Sequence, residues 1–241
     1  MLLVGLLSTN IVALRVELSD DTFSTTGRGK NRNLFITNNS EKMIAIEVYA
    51  QSRAMDPNTG VDQLEDVENF LIYPNQLLLQ PDQQQVVTLT WVGDEVLDQE
   101  LAFRVIVEEL NLSLGEEGLS DDDMTVRLAA LTKVVKAVYV KPENAKANVK
   151  ISKSEIITDD LGKKKIQLTF DNLGTAHKIM KQTKINIIPL NKDGVLQKDK
   201  SKEYIPDELN GIFNILSKSK RVINISMPEL GSDVAGVDVS L

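Results

Sequence analysis

The sequence predicts an all-β protein built from two β-sandwiches joined near residue 143. Three observations carry that prediction. Apolar residues recur with a period of two, turn chemistry separates the runs at roughly ten-residue spacing, and the charge changes sign between the two halves. Residues 1–143 hold 11 basic and 23 acidic residues, a balance of −12, whereas residues 144–241 hold 16 and 12, a balance of +4, within an overall −8. An asymmetry of that kind marks a domain boundary more often than a function, because most charge is solvated surface.

The first 13 residues read as a short export signal. MLLVGLLSTNIVAL carries no charge before Arg15, has an apolar run over 2–7, and offers Ala13 as a small residue for cleavage. The run falls well short of the ~18 apolar residues of a spanning helix. It lacks a basic start and places Ile11 where a small residue is preferred, so a buried first strand over 2–18 is the competing reading. No other run approaches membrane-span length, and no membrane insertion of the mature chain is expected.

The first sandwich is expected over 14–143. Ile44, Ile46, Val48 and Ala50 alternate with Met43, Ala45, Glu47 and Tyr49; Val87, Leu89 and Trp91 alternate with Thr88, Thr90 and Val92; Leu101, Phe103, Val105 and Val107 alternate with Ala102, Arg104, Ile106 and Glu108. Each run has one apolar face that must be buried, most simply against a second sheet. Asn38-Asn39-Ser40, Asp56-Pro57-Asn58 with Gly60, and Pro81-Asp82 supply the turns. The last run, RLAALTKVVKAVYV over 127–140, stops before Pro142, which has no N–H to give a ladder. The polar stretch ENAKANVK follows as a hinge. Strand patterning resumes in the second sandwich, over 144–241, at Val149 and Ile151, then Ile166, Leu168 and Phe170, then Ile185 and Ile187, then Val237, Val239 and Leu241. Two acidic stretches, 55–69 and 111–123, are read as solvated loops. The Asp121-Asp122-Asp123 run lacks the alternate-position spacing of a calcium loop.

Several chemistries are missing. The chain has no cysteine and one histidine, His177, so thiolate sites, cysteine nucleophiles and histidine clusters are excluded. No serine lies in a Gly-x-Ser-x-Gly setting, and Gly27-Arg28-Gly29-Lys30 has neither the spacing nor the following helix of a phosphate loop. Glu108 and Glu109 point to opposite faces of a strand, so they cannot work as a pair. His177 is read as a turn histidine with a polar role, and Trp91 as core. No enzymatic activity, cofactor or metal is expected. The net negative charge argues against nucleic acid.

The order of motifs resembles the periplasmic chaperones of pilus and fimbrial assembly. NLFITNNSEKMIAIEVYA (33–50) is followed by FLIYPNQLLLQPDQQQVVTLTW (70–91), ELAFRVIVEEL (100–110), a loop, and VRLAALTKVVKAVYVKP (126–142). LTFDNLGTAH (168–177) and NILSKSKRVINISMP (214–228) resemble the second domain of that family. The resemblance implies two immunoglobulin-like sandwiches in an L or boomerang with a cleft between them, and a location in the periplasm. It also implies a function without covalent chemistry: binding pilus subunits that lack a strand, filling the gap with a donor strand, and passing them to an outer-membrane usher.

On that resemblance the donor strand lies in 124–131. Its even positions, Met124, Val126, Leu128 and Ala130, are apolar, and the odd ones contain Arg127. The alternative is that the even set fills the protein's own core. The family holds the subunit's C-terminal carboxylate with an arginine and a lysine. Alignment on Tyr139 makes Lys136 the lysine, whereas alignment on Pro142 puts Ala137 there, and Lys133 is the next candidate. The arginine position falls near Thr22 and Phe23, with only Arg15 and Arg28 close in sequence, so its partner is unassigned. An exported structural or adhesive two-domain sandwich is the alternative function.

Overall fold

The computed structural model describes residues 13–111, 131–181, 184–204, 213–226 and 236–240. The chain divides into two compact units. The first comprises Met1–Ser52, Glu65–Glu95 and Phe103–Val140; the second comprises Arg53–Leu64, Val96–Ala102 and Lys141–Leu241.

Among the described residues before 141 the strands are β1 (Leu14–Leu18), β2 (Thr22–Phe23), β3 (Asn31–Asn38), β4 (Ile44–Met55), β5 (Asp62–Asp66), β6 (Phe70–Tyr73), β7 (Gln76–Leu79), β8 (Gln84–Trp91), β9 (Leu101–Leu110) and β10 (Lys133–Val140). One sheet has the order β1-β3-β8-β6 and the other β2-β10-β9-β4-β5, with β7 also on β4. The alternation in the sequence becomes an inside and an outside. Ile46, Val48, Leu34, Ile36, Val87, Leu89, Val105 and Val107 are all buried. Each contributes roughly 1.5–3 kcal/mol of transfer free energy relative to exposure. Phe70 sits edge-on to Phe23, Trp91 and Phe103 at centroid distances of 5.3, 5.3 and 5.1 Å, the geometry favoured by aromatic quadrupoles. Trp91 Nε1 donates to the Asp94 carbonyl at 3.0 Å, so its polar atom is satisfied.

Residues 55–69 depart from the expected loop. β4 runs on to Met55 and returns as β5 after a turn at 56–61. β5 is almost wholly exposed and has no alternating apolar face, so periodicity could not reveal it.

The second unit contains β11 (Val149–Thr158), β12 (Lys164–Asn172), β13 (Lys178–Ile179), β14 (Ile185–Leu190), β15 (Lys202–Tyr204), β16 (Asn214–Ile215), β17 (Lys220–Ser226) and β18 (Gly236–Ser240). They form sheets β11-β12-β17, β15-β14-β18 and the pair β13-β16. Ile166, Leu168, Phe170, Ile185, Ile187, Phe213 and Ile223 belong to one core.

The two units share a device that is not visible as a repeat in the sequence. Asn38, the last residue of β3, is buried and its Nδ2 donates to the carbonyls of Lys42, Leu79 and Gln80. Asn172, the last residue of β12, is buried and donates to Ala176, Ile215 and Leu216. Each amide satisfies carbonyls that leave the strand ladders, where an unmet buried group costs about 1–3 kcal/mol. Beside Asn172, a Cβ on Gly174 would lie 2.3 Å from the backbone of Lys146 and Asn148, so only glycine fits. Among the described residues, no helix is long and apolar enough to cross a membrane.

Candidate functional site

Part of β10 has no ladder partner on one side among the described residues. It lies between β2 and β9, but β2 pairs with it only at Tyr139–Thr22 and Val140–Phe23, in parallel. Tyr139 donates its N–H to Asp21 at 2.8 Å on that side. Because N–H and C=O groups alternate along a strand, those of Lys133, Val135 and Ala137 face the same side. Among the described residues no strand pairs with them there. An unpaired strand edge is a template for an added strand. The side chains also divide by parity. Val138 and Val140 are buried and Val134 and Lys136 half-buried on one face; Lys133 and Val135, 44% accessible, stand on the other.

Lys136 is thus on the inward parity, two residues before Val138, and has no hydrogen-bond or ion-pair partner among the described residues. Met124, Val126, Leu128 and Ala130 lie outside the described residues. So do residues 1–12 and the acidic stretch 112–123.

The cation near Thr22 and Phe23 is Arg32, not Arg15 or Arg28. Arg15 is turned to solvent on β1 and pairs with Glu17 at 2.5 Å. Arg28 lies in the 3-10 turn Gly27–Lys30, which contributes no buried residue. Arg32, on β3, is only 17% accessible in its side chain. Its Nη2 donates to the Thr22 carbonyl and pairs with Asp20 at 3.3 Å, and the guanidinium lies 5.5 Å from the centroid of the Phe23 ring. Its buried Nε has no acceptor among the described residues. Sequence spacing leaves the cation near Thr22 and Phe23 unassigned, because Arg32 reaches them from a different strand.

At the start of β10, Lys133 Nζ donates to Tyr49 Oη at 3.0 Å and to Glu108 Oε2 at 3.2 Å, while Tyr49 Oη donates to the same Glu108 oxygen at 2.6 Å. The hydrogen bonds from Tyr49 and Lys133 hold the Glu108 carboxyl below its ordinary value. Those to Tyr49 and Glu108 raise Lys133. Burial, with Glu108 alongside, pushes the Tyr49 hydroxyl up. All three shifts favour a carboxylate, an ammonium and a neutral phenol, so the cluster is held in one protonation state near neutral pH. Beside it on the backbone, the Thr132 N–H donates to Glu109 Oε2 at 3.1 Å, and the Thr132 carbonyl accepts from the Glu109 N–H at 2.9 Å.

His177, in the second unit, is bonded to the buried Glu100 carboxylate. Among the described residues no three His, Asp or Glu side chains converge as metal ligands.

No protein-family model matches the chain, and no curated protein matches it. Solved structures do. The CsuC–CsuE chaperone–tip adhesion subunit pre-assembly complex from the archaic chaperone-usher Csu pili of Acinetobacter baumannii is similar at 12% identity, with a TM-score of 0.55 over 93% of this chain and 96% of that one. The YadV chaperone is similar at 12% identity and a TM-score of 0.54, over 95% of this chain and 91% of its own. The Salmonella enterica SafA pilin in complex with the SafB chaperone gives 11% identity and a TM-score of 0.53, over 91% and 86%. The fold is therefore the all-β fold of two immunoglobulin-like domains found in these chaperones.

Proposed function

We propose that the protein is a periplasmic chaperone of pilus assembly that stabilises subunits by strand addition and passes them to an outer-membrane usher. The observation that carries this reading is the edge of β10. Its peptide groups at Lys133, Val135 and Ala137 have no ladder partner among the described residues, on a fold shared with chaperones solved together with their subunits. A subunit lacking a strand presents the complementary row of N–H and C=O groups above an apolar groove. Main-chain pairing along β10 meets the first need. Met124, Val126, Leu128 and Ala130, immediately upstream in sequence, meet the second, each of the larger ones contributing roughly 1.5–3 kcal/mol when buried. Lys136 anchors the subunit's terminal carboxylate, and Arg32, tied to β2 beside the last residues of β10, supplies the guanidinium. Export by the 1–13 segment and division into domains at 14–143 and 144–241 belong to the same proposal, as does the absence of any catalytic step.

The test is co-purification from periplasmic extract. A tagged chain is expected to bring down one small β-rich subunit at equal stoichiometry, and Leu128→Asp to lose it while keeping the same circular dichroism and melting temperature. Full capture by the folded Leu128→Asp chain would overturn the strand-donor role, and no co-purifying subunit would overturn the function.

A further inference from the structure

β10 has a sequence that does not tell its two faces apart. Lys133, Val135 and Ala137 alternate with Val134, Lys136 and Val138, so each face receives one lysine and two apolar residues. Hydrophobic alternation normally fixes register, because a one-residue slip turns every side chain to the opposite face. Over these six residues it is neutral. A slip by one would turn Lys133 to the inward face and Lys136 to the outward one.

We propose that Tyr49, Glu108 and Lys133 are positioning residues that lock β10 to β9 in a single register, and so decide which of Lys133 and Lys136 lies on the inward face. The bearing on client binding rests on the chaperone reading above; the register itself is a property of the chain without a client.

The geometry shows how the lock works. The bond between Glu109 N–H and the Thr132 carbonyl, with the Lys133–Glu108 pair one step along, defines an antiparallel pairing. Counting onward places Ile106 opposite Val135 and Val107 opposite Val134. Val107 and Val134 then both face inward, as their burial requires. In a slipped register Lys133 would oppose Val107 on the inward face, and Glu108 and Tyr49 would lose the ammonium. Lys133 and Glu108 are 48% and 38% accessible, and an exposed ion pair alone is a weak contact. Here either register would turn one lysine and two apolar residues inward over Lys133–Val138, Val134 and Val138 against Val135 and Ala137, so a polar preference weighs in the choice between them. The Tyr49 hydroxyl donates to Glu108 and accepts from Lys133, and its ring lies 5.7 Å from Nζ, which ties the lysine to β4 as well as β9.

The absence of native cysteine allows a direct test. Two double variants are made: Ile106→Cys with Val135→Cys, which face each other in the observed register, and Ile106→Cys with Val134→Cys, which face only after a slip. Under mild oxidation of the purified chain, the first pair is expected to close and the second to stay reduced. Adding Tyr49→Phe and Lys133→Ala should raise closure of the second pair about fivefold, the scale of one small charged network. Lys133→Arg in place of Lys133→Ala should restore the native pattern. Tyr49→Phe alone, which keeps the ring packed, should act in the same direction to a smaller extent. A second pair that stays reduced in both backgrounds overturns the proposal even if the variants melt earlier, since lost stability alone leaves register unchanged. No client enters the assay, so failure of subunit capture would count against the chaperone function and not against the register lock.

Discussion

Glu100 and His177 are joined twice: one carboxylate oxygen, Oε1, accepts from the His177 backbone N–H at 2.9 Å and lies 2.6 Å from its Nδ1. Glu100 is 3% accessible. Its own N–H donates to Thr175 at 2.8 Å, and its carbonyl accepts from Ser217 Oγ at 2.7 Å. One residue from the 96–102 segment is thereby built into the second unit by four contacts. Glu100→Ala removes the carboxylate and strands a buried N–H, at a cost of about 2–3 kcal/mol. His177→Ala keeps the backbone bond and should cost less. Urea unfolding followed by circular dichroism measures both, and equal losses would show that the imidazole carries the whole interaction.

Gly60→Ala should be more disruptive than its size suggests. Gly60 has φ of +73°, where an L residue costs roughly 1–2 kcal/mol. A Cβ there would also fall 1.9 Å from Arg221 Nη2. The guanidinium would be driven from the carbonyls of Asp56 and Thr59, which it now meets at 3.3 and 3.4 Å. The expected loss is about 2 kcal/mol or more. In an Arg221→Ala background the steric part disappears, so a thermal-melt double-mutant cycle should show clear non-additivity.

Asp56 makes the same turn sensitive to acid. Its Oδ1 accepts from the Thr59 N–H at 2.7 Å, from Thr59 Oγ1 at 2.9 Å and from the Asn58 N–H at 3.0 Å. These bonds, those from Thr59 foremost, hold the Asp56 carboxyl below its ordinary value. A folded-state value below the unfolded one contributes stability that is complete above the unfolded value and is lost as pH falls through the folded one. Asp56→Asn should therefore flatten the stability profile below about pH 4 and leave its slope near neutrality unchanged. Chemical denaturation across that range decides it.

Lys136→Ala should reduce subunit recovery about tenfold or more, the loss of a charge-assisted bond of roughly 1.5–3 kcal/mol. The melting temperature should hardly move, since Lys136 has no ion-pair partner among the described residues to strand. Unchanged recovery would move the anchor to another cation, with Lys133 and Arg32 the next to replace.

The strands that face a core were legible in the sequence, and those that do not were not. Ile44 to Ala50, Val87 to Trp91 and Leu101 to Val107 announce β4, β8 and β9 because burial on one side demands alternation. β5 has no buried face and left no such trace. The same limit governs the site. Lys136 could be placed on β10 by counting from Tyr139, a matter of distance along one strand. The proximity of Arg32 to β2 is not a matter of distance along one strand, because it depends on how β3 packs over Phe23. The Tyr49–Glu108–Lys133 cluster joins three strands separated by up to 84 positions, a proximity that local spacing does not encode.

The burial of Trp91 makes the chain its own spectroscopic reporter. It is the sole tryptophan of the sequence, enclosed by Phe70 and Phe103 in the first unit, and the second unit has none. Indole emission thus follows the opening of one unit and is silent on the other, so a red shift on denaturation dates the loss of the unit that carries β10, without any label.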